Sequence, residues 1–119
     1  MKKIFVLILP AQKEFEDMSV ELQAALRALI KVLEQYGHLA PPQGKIVDRA
    51  ERIFEMRVEE NHLQGRMLYY YIDEDGAVYG LVVFIKKKRK TPKKELDLAR
   101  RRLQLLKRGI WREEHNEEP

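Results

Sequence analysis

The apolar residues of this chain change their spacing twice, and that change limits the folds open to it. Leu22, Leu26, Leu29 and Leu33 recur at intervals of four, three and four, with Ala25 and Ile30 beside them. Such a stripe lies on one face of an α-helix that docks on a core. Ser19 precedes it as a candidate N-cap and Gly37 follows as a candidate C′ residue, so the helix is predicted to run to about Tyr36. From Ala50 onward the period becomes two. In RIFEMRVEE, Phe54, Met56 and Val58 alternate with Glu55, Arg57 and Glu59, which predicts a half-buried strand with a charged outer face. GRMLYYYI and AVYGLVVFI predict two further strands joined by the turn DEDG. Beyond Thr91-Pro92, read as an N-cap residue with proline at the first helical position, the helical period returns. Leu96, Ala99, Leu103, Leu106 and Ile110 then form one docking stripe.

The amino terminus adds an apolar run, Ile4 to Leu9, read as a buried strand. With its two preceding lysines it resembles a signal peptide, but it is too short for an h-region, lacks an A-x-A site and falls far below a bilayer-spanning length. Pro10 opens a short helical stretch in which Phe15 and Met18 face inward, and HLAPPQGK reads as a connecting loop. The expected fold is α+β: an N-terminal strand, a helical hairpin, a three-stranded antiparallel sheet and a C-terminal helix. Its 119 residues, 45% of them hydrophobic, suit one domain over residues 1–112, with an acidic tail at 113–119 expected to be mobile. The chain has no cysteine, which removes disulfides and thiolate metal sites and fits a cytoplasmic location.

Charge is unevenly placed. Residues 1–83 carry 10 Lys/Arg against 13 Asp/Glu, a net −3, whereas residues 84–112 carry 13 against 2, a net +11. Within FIKKKRKTPKKE alone, seven of twelve residues are basic. Either this run is simply solvated or an anionic partner neutralises it, and such asymmetry favours a polyanion. Familiar catalytic devices are missing: there is no glycine-rich phosphate loop and no nucleophile elbow. His38, His62 and His115 are dispersed, so no metal site and no cofactor are expected. What remains is basic: Arg66 after Gly65 at the start of a strand, Arg57 on the neighbouring one, and the lysines that end the last strand. By alternation Arg66 shares a face with Leu68 and Tyr70, while Tyr69 and Tyr71 face away. The plainer reading of Arg66 is a strand-end salt bridge to Glu59 or Glu60.

IFEMR, then GRMLYYY, then VVFIKKKRKTPKKELDLARRR resembles the RelE/HigB superfamily of toxins from bacterial toxin–antitoxin pairs, in particular its phage-type HigB branch. The matching residues are Glu55 and Arg57; Arg66 and Tyr69; Phe84, Lys86 and Lys87; Thr91 and Pro92; Glu95 and Ala99. The resemblance implies a metal-free endoribonuclease that cuts messenger RNA, usually on the ribosome. It also implies a cognate antitoxin, commonly a helix-turn-helix protein through which operator DNA is met, and no membrane partner. Under it, Arg66 and Arg57 stabilise the charge that builds on the phosphate, with Lys87, Glu55 and Tyr69 as further catalytic candidates. Lys86, Lys88, Arg89, Lys90, Lys93, Lys94 and Arg101 are the candidate RNA contacts. The chain departs from the better-understood relatives in having Glu55 and Arg57 where lysines assist proton transfer and no aromatic residue in the last helix. His115 is a weaker candidate for a histidine role. Two other readings stay open: an RNA- or ribosome-binding module without cleavage, and a co-repressor that acts with its antitoxin.

Overall fold

Ser19 and Gly37 bound the second helix as their chemistry requires. In the computed structural model, which describes residues 3–72, 76–87 and 91–111, the Ser19 hydroxyl accepts from the Leu22 amide at 3.2 Å, and Gly37 closes the helix in the left-handed region at φ 85°. The elements run β1 (Ile4–Leu7), α1 (Leu9–Glu16), α2 (Val20–Tyr36), β2 (Gly44–Asp48), β3 (Ile53–Glu60), β4 (Leu63–Tyr70), β5 (Ala77–Ile85) and α3 (Lys93–Lys107).

The expected α+β architecture is present, with a sheet of five strands rather than three, ordered β1-β5-β4-β3-β2. The three strands of period two form its antiparallel centre. β1 adds to one edge, parallel to β5, and β2 to the other, antiparallel to β3. The N-terminal strand is thus an edge strand, with Ile4 66% exposed, rather than a buried one. β2 falls partly within the segment read as a loop, because its turn-forming neighbours conceal a five-residue strand with a register shift at Ile46/Asp48. The turn residues 73–75, like 88–90 and 112–119, lie outside the described residues.

Helices cover both faces of the sheet. Leu22 of α2 lies where a side chain at Gly65 would reach, so Gly65, Met67 and Tyr69 face α1 and α2. Lys107 of α3 lies 5.6 Å from the Tyr70 ring, which assigns Arg66, Leu68 and Tyr70 to the α3 side. Met67 and Leu68, neighbours that point oppositely, are both fully buried. This double cover corrects the reading of β3 in part: Glu55 is 0% exposed and meets Thr91 just before α3, whereas Arg57 is half-buried and Glu59 exposed.

Two features of α3 also depart from expectation. Pro92 rather than Thr91 occupies the cap position, with no side-chain cap hydrogen bond, and the Thr91 hydroxyl is turned to Glu55 instead. Ala99, Leu103 and Leu106 are buried, but Ile110 lies past the helix end and is exposed.

Candidate nucleic-acid interface

Register alone brings the candidate cations together. Arg57 of β3 lies directly opposite Arg66 of β4, and Lys45 of β2 lies opposite Glu55 of β3. Phe84 pairs with Arg66, so Lys86, two residues on, returns to the same face; its amide donates to the Gln64 carbonyl at 2.8 Å. Like charges directly opposite on neighbouring strands destabilise a sheet. Glu55 offsets that repulsion: its Oε1 lies 3.6 Å from Arg57 Nε and its Oε2 3.9 Å from Arg66 Nε.

Arg66 is 4% exposed and held in one orientation. Its Nη1 donates to the Gly65 carbonyl at 3.0 Å and the Val58 carbonyl at 3.5 Å, and its Nη2 donates to Gln64 Oε1 at 2.8 Å. Burial lowers its pKa from the usual arginine value; Glu55 and, more weakly, Glu59 oppose that shift and Arg57 adds to it. Lys86, 7% exposed, is pushed below the ordinary lysine value first by burial and then by the Arg66 charge. Glu55 pulls the other way, while Arg57 and Lys45 reinforce the depression. Arg57, Arg66 and Lys86 therefore lie near one buried carboxylate, with Lys45 and Glu59 acting from the rim. Glu55 Oε1, Arg57 Nε and Arg66 Nε are buried without a hydrogen-bond partner among the described residues. An anion with several oxygens relieves both the excess charge and the unmet donors, and guanidinium suits phosphate because its planar fork grips two oxygens together.

Access exists. Pairing of β3 with β2 begins at Met56 opposite Gly44, so β3 extends past β2. At that end a groove of about 650 Å³ opens, lined among others by Ala25, Leu29, Pro42, Arg57, Glu59 and Arg66.

The other candidates separate. Lys87 is exposed immediately after Lys86, and Lys94 and Arg101 are exposed on α3. Lys93 is exposed but pairs with Asp97 at 2.8 Å. Lys88, Arg89, Lys90 and His115 lie outside the described residues. Tyr69 is not brought to the cluster: it is buried on the opposite face, with ring centroids 5.9 Å from Phe5 and 5.7 Å from Phe54. Burial there raises its pKa, which keeps the phenol protonated. Arg66 has Glu55 as its carboxylate neighbour within salt-bridge distance, rather than Glu59 or Glu60. Lys45 and Gln64 belong to the cluster and escaped sequence reading. Lys45 becomes visible only once β2 is recognised and its register known. No group of three or more His, Cys, Asp or Glu placed to hold a metal occurs among the described residues.

A family model described as phage derived protein Gp49-like (DUF891) matches residues 13–104. No curated protein sequence matches. Among solved structures, a double mutant of the E. coli toxin RelE in the free state aligns with a TM-score of 0.66 at 14% identity, covering 87% of this chain and 99% of that one. Isolated E. coli RelE aligns at 0.53 and 14% identity, covering 83% and 97%. A chain of the intact E. coli RelBE toxin–antitoxin complex aligns at 0.50 and 15%, covering 73% and 99%. At these identities the structures speak for the fold, whereas the family match spans well over half of the chain. The chain therefore belongs to the phage-derived Gp49-like family and carries a RelE-like fold.

Proposed function

We propose that this protein is the toxin of a toxin–antitoxin pair, an endoribonuclease that cuts messenger RNA on the ribosome and is silenced by a cognate antitoxin. The observation that carries this reading is the pair of opposed arginines, half-buried Arg57 and buried Arg66, lining a groove on a RelE-like fold with buried Lys86 beside them. The RelBE complex is a toxin–antitoxin assembly of the same fold, which supports a protein partner; a helix-turn-helix antitoxin, met by operator DNA, and a cytoplasmic setting belong to the same proposal.

In the reaction, a ribose 2′-oxygen bonds to the adjacent phosphorus as the bond to the 5′-oxygen breaks, leaving a cyclic phosphate and a 5′-hydroxyl. Arg66 and Arg57 stabilise the charge that builds on the phosphoryl oxygens. Lys86, acidified by its surroundings, supplies the proton to the departing 5′-oxygen, and the 2′-hydroxyl proton leaves to solvent. Lys87, Lys94 and Arg101 hold the flanking backbone. Arg66→Ala should abolish growth arrest on induced expression and slow transcript cleavage by roughly 10²–10³-fold, the usual loss for one such donor; circular dichroism checks the fold. A variant that arrests growth like the parent would overturn the assignment.

The enclosure of Glu55 and the remoteness of Tyr69 favour a second reading, binding without cleavage. End-mapping of transcripts separates the two: under it, induced cells stall translation while transcripts stay intact.

A further inference from the structure

The contact at 2.7 Å between Glu55 Oε2 and Thr91 Oγ1 does not belong to the sheet. Thr91 stands just before α3, where a threonine ordinarily caps the helix; here that role is unfilled and the hydroxyl goes to the buried carboxylate. A hydrogen bond to an ionised acceptor is stronger than a neutral cap bond, which is why the carboxylate wins. Two described residues that flank the β5–α3 connection, Lys86 and Thr91, thus both meet one cluster. At the start of that connection the Lys86 amide is held by Gln64 and its side chain is buried beside Arg66. At its end Thr91 is held by Glu55, whose other oxygen faces Arg57.

We propose that Glu55 is a positioning residue rather than a base and that Thr91 is its latch. One carboxylate keeps the opposed Arg57 and Arg66 side by side and sets where the chain enters α3, so that the two arginines meet one polyanion together. The Glu55 carboxylate is 0% exposed, and its oxygens are turned to Thr91, Arg57 and Arg66 rather than to solvent. The functional consequence rests on the RNA-cleaving reading above; the latch does not.

Full-length Thr91→Val, Thr91→Ser and Glu55→Gln proteins test this. Nitrogen-15 NMR of the arginine Nε–H groups, with hydrogen exchange, reports the arrangement of Arg57 and Arg66 without any activity. Binding of a short single-stranded RNA oligonucleotide reports the consequence. Thr91→Val should speed exchange at Arg57 and Arg66 Nε–H and weaken RNA binding, each by on the order of tenfold, as loss of one charge-assisted hydrogen bond implies. Thr91→Ser should retain parental values. Glu55→Gln, whose amide oxygen still accepts from Thr91, should keep α3 first-turn amide protection while freeing the arginines. A Thr91 with only a structural role would lower the thermal midpoint of Thr91→Val and leave the arginine signals as in the parent. That result overturns the latch. If the parent itself binds no RNA, the functional reading fails, and the arginine signals still decide the latch.

Discussion

Arg102 tests whether α3's positive face is an RNA surface or a structural clamp. Its Nη1 donates to the Leu81 carbonyl at 2.7 Å and to Glu14 Oε1 at 3.0 Å, and its Nη2 donates to Glu14 Oε2 at 2.8 Å. Glu14 Oε1 also accepts from the Val83 amide at 3.0 Å. The cause lies in β1, which is four residues long and pairs with β5 only as far as Gly80. Beyond it, a register shift makes Leu81 the extra residue of β5, and its carbonyl would face no strand. Arg102 and Glu14 take the place of the missing strand and tie α3 to α1 across the edge.

Arg102→Ala removes three hydrogen bonds at once and leaves the Glu14 carboxylate, only 30% exposed, without its cation. Charged hydrogen bonds contribute about 1.5–3 kcal/mol each but are not additive within one network, so a loss of about 2–4 kcal/mol is expected. For a chain of this size 1 kcal/mol moves Tm by roughly 4 °C, giving a fall of about 8–16 °C. Exposed Arg101→Ala should stay within about 0.5 kcal/mol of the parent. Thermal and urea unfolding measure both, and RNA binding at a fixed temperature well below either midpoint completes the pair. Arg101→Ala should weaken binding and Arg102→Ala should not. A stable Arg102→Ala protein that binds RNA poorly would show that the arginine faces the nucleic acid and that the clamp reasoning is wrong.

Other outcomes follow from the same cluster. RNA affinity should fall steeply with salt, and Lys87→Glu should flatten the slope of log K against log salt, since each single-strand phosphate contact contributes about −0.7; an unchanged slope places Lys87 away from the RNA. Because the folded-state pKa of Lys86 is depressed below its value of 10.5 in the unfolded chain, the unfolded state binds more protons between those two values, and Lys86 adds a stability that grows as pH rises through that window. Urea midpoints of the parent should therefore improve relative to Lys86→Met on going from neutral to alkaline pH, and a constant gap would refute the shift. If the protein cuts RNA, cleavage should persist in EDTA and leave cyclic or 3′-phosphate ends; 5′-phosphate ends would mean that a 2′-hydroxyl is not the nucleophile.

Much of the fold was legible because local chemistry and tertiary packing agree. Ser19 and Gly37 bound α2, and the leucine stripe it carries is buried at Leu22, Leu26 and Leu33. The central strands were equally plain, since apolar alternation survives in all three. The misreadings share a cause: the period of two identifies which residues share a face but not what covers it. Glu55 looked solvated because a polar face is normally a wet one; the segment entering α3, through Thr91, encloses it. β2 was hidden for a related reason. A five-residue edge strand after two prolines owes its form to pairing with β3 rather than to its own pattern, and Lys45 was lost with it. Tyr69 followed the family motif, yet alternation alone places it opposite Arg66, and the packing against Phe5 and Phe54 agrees with alternation.

The fold also redistributes the charge that made residues 84–112 look so unbalanced. Nine of its basic residues are described, and four of them meet carboxylates: Lys93 with Asp97, Arg100 with Asp48 and Asp97, Arg102 with Glu14, and Lys107 with Glu51. Three of these pairings reach back to the acidic first part of the chain. The net −3 of residues 1–83 and the net +11 of residues 84–112 are thus partly two halves of one set of contacts. Burial raises the Asp48 carboxyl, but its hydrogen bond and charge pairing with Arg100 and the Glu51 amide more than reverse this, leaving its pKa below 3.8. That tie between β2 and α3 therefore weakens only as pH falls through a value lower than that of a free aspartate. Subtracting the paired residues sharpens rather than weakens the case for a polyanion. Among the described residues of this segment, Lys87, Lys94, Arg101 and Arg108 are exposed, and Lys86 is buried inside the cluster. Solvated charge accounts for exposed residues well. It does not account for Arg66, a cation 4% exposed that shares one buried carboxylate with Arg57, or for Lys86, 7% exposed beside it. Burying like charges together is unfavourable in the free protein, so a bound anion has the most to gain there, and that is where a phosphate oxygen should be sought.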